Sequence, residues 1–253
     1  MKENQNDPVA EFFEERRADI EKMGQDEELR ALSLEWMVKA DKYKYTYNYT
    51  WMGRPIIKFP SDIVAQQEIM WRTRPDLIIE TGIAHGGSIA FSASMQQMMG
   101  IENAEVVAVD IDIREHNRKE IESHPMFPHI TMYEGDSTSN ELVEKVRKHT
   151  DEKKSVMVIL DSNHTEDHVY RELVRYADFV TPGNYLLLPD TFIEFFPKGY
   201  YDNRPWDVGD NPHSAMKRFV AERDDYRIDK AMTNKLMICE GIEGYLQRID
   251  STE

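Results

Sequence analysis

Residues 76–88 read D-L-I-I-E-T-G-I-A-H-G-G-S. The run Asp76–Glu80 is short, apolar in the middle and ends in an acid, which predicts a strand buried on both faces. Gly82, Gly86 and Gly87 then supply a tight turn, and a helical stretch follows to about Met99. A strand, a glycine turn and a helix form the opening unit of a parallel α/β sheet.

The rhythm continues downstream. Val106–Asp110, Ile130–Tyr133, Val156–Asp161 and Tyr185–Asp190 are further strand candidates, separated by the helical stretches Glu115–Ser123, Glu141–His149 and Thr165–Tyr176. This alternation predicts a mostly parallel sheet with helices on both faces. Arg227–Thr233, Lys235–Glu240 and Tyr245–Ile249 have no long helix between them and are expected to close the sheet as an antiparallel hairpin. Residues 197–212, rich in Gly, Asp, Asn and Pro, are expected to be irregular.

Upstream, the first seven residues are polar and expected to fray. Asp7-Pro8 starts a helical pattern that runs to about Ala40, with Gly24 expected to split it in two. Its stripes (Phe12, Phe13, Ile20 and Met23, then Leu29, Leu32, Leu34, Trp36 and Met37) call for packing on the main domain, against another subunit, or as a lid over a site. In residues 43–60, aromatics alternate with polar residues, which predicts an extended segment closed by Gly53 and Pro55, and Asp62 is placed to cap the next helix. The expected division is a helical extension over 1–50 and a catalytic-type domain over 51–253.

Composition narrows the function. The chain has 253 residues, with 31 Lys+Arg against 47 Asp+Glu, for a net charge of −16. Such an acidic chain is repelled by phosphate backbones and anionic membranes, so no nucleic acid and no membrane partner is expected. The single cysteine, Cys239, excludes an internal disulfide and a cysteine-type zinc site, and points to a reducing cytoplasm. No apolar run approaches the ~20 residues of a spanning helix, and the N-terminal M-K-E-N-Q-N-D-P lacks a signal core.

Four strand candidates end in acids: Glu80, Asp110, Asp161 and Asp190. In a parallel sheet these collect on one rim, beyond the carboxyl ends of the strands, where ligands bind. The loop spanning Gly82, Ala84, Gly86 and Ser88 departs from the dinucleotide pattern, because Ala84 stands where the middle glycine belongs. Glu80 would repel a pyrophosphate and attract an ammonium group. The loop therefore suits a nucleoside with an amino-acid tail, S-adenosylmethionine. Asp110 is placed for ribose hydroxyls, and Asp136 and Ser137 for an adenine edge. At the fourth tip, His164 and His168 are four residues apart and share a helix face. Either Asp161 and Asp190 hold Mg²⁺, or Asp161, His164 and His168 form a two-histidine, one-carboxylate iron site. The carboxylate reading is favoured.

These pieces resemble the cephalosporin hydroxylase family, also called the rhamnosyl O-methyltransferase family. The likeness is carried by W-M-G-R-P-I-I-K-F-P with D-I-V-A-Q-Q-E, R-P-D-L-I-I-E-T-G-I-A-H-G-G-S, V-D-I-D-I-R-E-H-N-R, V-I-L-D-S-N-H-T-E-D-H-V, R-P-W-x-x-G-x-N-P and G-Y-L-Q-R, in that order from Trp51 to about Arg248. The resemblance implies a Rossmann-like, seven-stranded, class I methyltransferase fold and metal-dependent O-methylation of a sugar or natural product by a homo-oligomer. It implies the methionine moiety at Glu80 and Gly82, ribose at Asp110, adenine near Asp136 and Ser137, and metal at Asp161 and Asp190. The sequence departs from the family at Pro189, where an acid usually precedes the last aspartate, so a three-carboxylate site is reduced to two. Asp161 or His164 is the expected general base. Arg204, Trp206 and His213 are expected to cover the acceptor. Two rivals remain at this level: an iron oxygenase, and a non-catalytic S-adenosylmethionine-binding subunit that Pro189 keeps open.

Overall fold

The structure, a computed structural model, describes residues 7–249. The polar start expected to fray lies outside these residues except for Asp7. Seven strands form one sheet: β3 (Leu77–Thr81), β4 (Glu105–Asp110), β5 (Ile130–Glu134), β6 (Val156–Leu160), β7 (Tyr185–Leu187), β8 (Tyr226–Ile228) and β9 (Tyr245–Arg248). Their spatial order is β5-β4-β3-β6-β7-β9-β8. From β5 through β7 all pairings are parallel, and β9 runs antiparallel to both β7 and β8. Strand order reverses between β3 and β6, which are paired from Leu77 opposite Val156 to Thr81 opposite Leu160.

The strands obey the two-residue period of a pleated sheet. Leu77, Ile79, Val107, Val109, Val156 and Val158 face one side, where they meet α6 (Asn140–Thr150), α7 (Glu166–Tyr176) and α8 (Pro212–Glu222). Ile78, Val106, Ala108, Met157 and Ile159 face the other, against α3 (Pro60–Thr73), α4 (Gly87–Met98), α5 (Glu115–Glu122) and α9 (Lys230–Leu236). The middle positions of the central strands are apolar on both sides, and β6 is apolar throughout, because both faces are covered. Each fully buried Ile, Leu or Val contributes about 1.5–3 kcal/mol to this sandwich.

Outside the sheet, several expectations give way. The N-terminal helices are α1 (Pro8–Gln25) and α2 (Glu27–Asp41), and Asp26 separates them by capping α2, its carboxylate accepting from Leu29 N. Gly24 instead lets α1 pass α9, since a Cβ there would lie 2.1 Å from the Asn234 side chain. No residue of α1 is buried, and Phe12 is 59 % exposed. Residues 45–48 form a 3₁₀ turn, followed by a hairpin of β1 (Tyr49–Trp51) and β2 (Arg54–Ile56), with Pro55 inside β2. Asp62 is not a cap: it sits buried in the first turn of α3, accepting from Glu240 N and the Tyr245 hydroxyl. Residues 230–236 are the helix α9 where a strand was expected, because Asp229 caps Met232 N and Met232 buries against the sheet. No described helix is long and apolar enough to cross a membrane.

Candidate functional site

The tips of β3 and β6 are locked together. Asp161 N donates to Thr81 O at 2.9 Å. Gly82 has φ +91, and a Cβ on it would lie 1.9 Å from the Asp161 carbonyl oxygen. The glycine is thus required by a neighbouring strand rather than by a ligand. Gly87 plays the same part on its other side, where a Cβ would meet the Pro55 carbonyl of β2 at 2.1 Å. Arg54 donates to the His85 carbonyl at 2.9 Å, and the hairpin roofs the loop.

This clamp places Glu80 at the base of the cleft, 1 % exposed, with Oε2 buried and lacking a hydrogen-bond partner. Burial pushes its carboxyl up to about 7; the Lys58 ammonium and the neighbouring Ser88 hydroxyl, which is near Glu80 but outside hydrogen-bond geometry, oppose the shift. Asp110, at the end of β4, turns its carboxylate onto the loop: Oδ2 accepts from Ile83 N at 2.7 Å and Ala84 N at 3.3 Å. Ala84 holds φ 45, a left-handed conformation usually left to glycine. Gly86 opens α4, and the Ser88 hydroxyl in its first turn is buried without a partner.

Asp161, His164 and Asp190 converge, with one ligand atom from each within 4.8 Å of the others. His164 Nε2 lies 3.3 Å from Asp190 Oδ2. Burial raises the Asp190 carboxyl, the nearby Asp161 charge adds to the rise, and His164 counters it. Two carboxylates and an imidazole that crowd together fit a small divalent cation, which would relieve their repulsion. Pro189 adds no side-chain oxygen. His168 does not join them; its Nε2 contacts Ser137 and Ser162 instead. The two-histidine iron set is therefore not assembled, because His164 precedes α7 and turns to Asp190, whereas His168 lies within α7.

Sequence reasoning missed Lys58 and Glu240. Lys58 is 3 % exposed, and its Nζ lies 2.7 Å from Glu240 Oε1 and 3.3 Å from Asp161 Oδ2. Burial lowers the lysine, but the nearby carboxylates outweigh it and raise it; burial and the neighbouring acids push the Glu240 carboxyl up in turn, and the Lys58 ammonium opposes that rise. A single charge inside I-I-K-F-P was the available signal, since a lysine in an apolar run is buried only when paired.

A cleft of about 490 Å³ opens onto Glu80, Asp110, Asp161, His164 and Asp190. Arg204 and Trp206 line it too, with the guanidinium 5.3 Å from the indole centre and the indole edge-on to His164 at 4.6 Å. His213 is not among the lining residues; it pairs with Glu243 at 3.0 Å and packs on Phe195. A second cavity of about 310 Å³ adjoins the cleft through Asp110 and Ser162, and holds Asp136, Ser137 and His168 on its walls.

A switch-point rim of acids on this strand order, with the antiparallel β9 inserted beside β7, defines the class I methyltransferase architecture. Residues 43–249 match the family model "Rhamnosyl O-methyltransferase/CmcI". The chain belongs to this family. It is 30 % identical over 201 residues to the rhamnosyl O-methyltransferase of Mycobacterium leprae (strain TN), covering 79 % of this chain and 82 % of the relative. The rhamnosyl O-methyltransferase of Mycobacterium tuberculosis (strain ATCC 25618 / H37Rv) is 28 % identical over 204 residues, 79 % of this chain and 78 % of its own. Among solved structures, a CmcI chain with Mg and SAM superposes at TM-score 0.56 with 21 % identity, covering 81 % of this chain and 78 % of that one. A putative O-methyltransferase from Klebsiella pneumoniae superposes at 0.52 with 10 % identity, over 86 % and 90 % of the two chains. Both show the shared fold.

Proposed function

We propose that this chain is an S-adenosylmethionine-dependent O-methyltransferase acting on a hydroxyl of a sugar or small natural product, with Mg²⁺ at Asp161 and Asp190 and His164 beside them. The observation that carries the reading is the unpartnered, buried oxygen of Glu80 beside the glycine loop. A lone buried acceptor is costly, and the ammonium of an aminoacyl tail would satisfy it. Asp110 stands between the two cavities, where a ribose would bridge them.

S-adenosylmethionine supplies a methyl group on sulfonium sulfur, and Mg²⁺ supplies a charge that acidifies and orients a hydroxyl. The chain's own residues do the rest. Trp206 and Arg204 give the acceptor a stacking face and a donor above the metal ligands. Asp161 or His164 removes the hydroxyl proton as the oxygen–methyl bond forms and the sulfur–methyl bond breaks. Lys58 holds Asp161 in place through Oδ2. Much of the rate would come from this alignment.

The reading includes a homo-oligomer, supported by the exposed apolar residues of α1 and α2, and a cytoplasmic location, supported by the unpaired Cys239. Calorimetric titration with S-adenosylmethionine, with and without Mg²⁺, tests the core of the reading. Heat with the cofactor is expected. No heat sinks the methyltransferase assignment, and cofactor binding with no Mg²⁺ effect sinks the metal-assisted version alone.

A further inference from the structure

Three cationic side chains line the cleft: Lys58, Arg114 and Arg204. Lys58 is held by Glu240 and Asp161, and Arg114 Nε has Asp112 Oδ2 at 3.9 Å. Arg204 differs from both. The chain has 47 acids against 31 bases, yet no described carboxylate, Asp202 included, forms an ion pair with Arg204. Its guanidinium instead stacks 5.3 Å from the centre of the Trp206 indole.

The loop that carries Arg204 directs its acids elsewhere. Asp207 accepts from Gly199 N on both oxygens, at 3.0 and 3.1 Å, and Asp210 Oδ1 accepts from Glu166 N at 2.7 Å. Glu194, packed beneath the loop, accepts on Oε2 from Gly209 N at 2.9 Å and from the Asn211 amide at 2.6 Å. These carboxylates are taken up by backbone and amide donors. Arg204 N donates to Tyr201 O at 3.1 Å, and Asp207 and Asp210 exchange backbone hydrogen bonds at 3.1 and 2.9 Å. The chain is thus pinned on both sides of an arginine whose charge is left open to the cleft.

The same indole meets the His164 ring edge-on at 4.6 Å. A group gripped by the guanidinium is therefore within one small molecule's reach of the residues that meet the reacting hydroxyl. Most acids of the cleft are already matched. Asp161 and Asp190 face the proposed Mg²⁺, Glu80 and Asp110 face the proposed cofactor, and Glu240 faces Lys58. Asp41 remains on the wall and offers an acceptor for a hydroxyl.

We propose that the methyl acceptor carries an anionic group, a carboxylate or a phosphate ester, which Arg204 binds in bidentate fashion from its stacked position on Trp206. This makes Arg204 a specificity determinant for acidic over neutral acceptors. The inference rests on the methyltransferase reading, because it takes the molecule in this part of the cleft to be the methyl acceptor.

The test is calorimetry on the full chain, saturated with S-adenosylhomocysteine and Mg²⁺, with two matched sets of hydroxylated rings. One set is glucuronate, glucose 6-phosphate and glucose; the other is protocatechuate, catechol monophosphate and catechol. In at least one set an anionic member is expected to bind about tenfold more tightly than its neutral parent, the worth of a charge-assisted contact. The stronger of the two anionic members tells carboxylate from phosphate. Arg204→Gln should erase the preference while S-adenosylhomocysteine still binds, and Arg204→Lys, which keeps the charge without the fork, should retain part of it. A purely structural role for the loop would weaken anionic and neutral members alike. No anionic preference in either set, sets that do not bind included, overturns the proposal and leaves the methyltransferase reading standing. A preference that survives in Arg204→Gln overturns it as well. No heat with S-adenosylhomocysteine on the wild type overturns the methyltransferase reading itself, and this inference with it.

Discussion

Lys58 Nζ lies 2.7 Å from Glu240 Oε1, across 182 residues of chain. The pair closes the floor of the cleft between the segment before α3 and the loop before β9. Removing one partner of a buried pair leaves the other charge uncompensated. Lys58→Met is expected to destabilise the protein by about 3–5 kcal/mol, read from urea denaturation. Adding Glu240→Leu should restore most of the loss. A single variant as stable as the wild type would show that the pair is not coupled in solution.

Asp161 meets both Lys58 and the proposed metal site. Asp161→Asn keeps the side chain's volume and loses its charge. Turnover is expected to fall by at least ~100-fold, the usual worth of a positioned base, while S-adenosylhomocysteine binding persists. Surviving turnover would remove Asp161 from the reaction.

Glu80 gives a pH prediction with a definite sign. Its carboxyl rises on folding from 4.5 to about 7. Between these values the folded state holds a proton that the unfolded chain has released. Its contribution to stability is therefore complete below about pH 4.5 and is lost as pH rises through 7. Glu80→Gln has no such loss, so its stability relative to the wild type should improve from pH 5 to pH 7.5. Equal differences at the two pH values would contradict the assignment. The same variant should bind S-adenosylmethionine ~10- to 100-fold more weakly, having lost a charge-assisted bond to the ammonium.

Gly82 and Gly183 both have positive φ, +91 and +83, yet only Gly82 faces backbone within 4 Å. Gly183→Ala should cost only the left-handed strain, about 1 kcal/mol. Gly82→Ala adds a clash with the Asp161 carbonyl and should cost about 2 kcal/mol or more, together with cofactor binding. Thermal melts of the two variants measure the difference, and equal losses would refute the clamp between β3 and β6.

The parallel strands were legible because each is a short run rich in β-branched and other apolar residues, bounded by an acid or a glycine turn and alternating with a longer helical stretch, the pattern of a sheet buried on both faces. β3 is expected at Asp76–Glu80 and observed at Leu77–Thr81; β6 is expected at Val156–Asp161 and observed at Val156–Leu160. Residues 230–236 were misread because an apolar pattern only a few residues long does not separate strand from helix. The break between α1 and α2 was misplaced because Asp26 ends one helix by capping the next, while Gly24 answers to a contact with Asn234.

By itself the sequence determined the alternating parallel sheet and the rim of strand-end acids, since both follow from local apolar runs and from the direction in which parallel strands must point. Only the tertiary structure decided which charges meet there. It turned His164 toward Asp190 and His168 toward Glu172, although the two histidines are four residues apart. It also brought Lys58 to Glu240 and Asp161. Such pairings depend on which chain segments desolvate one another, and a buried charge takes its partner from whatever the packing places within reach.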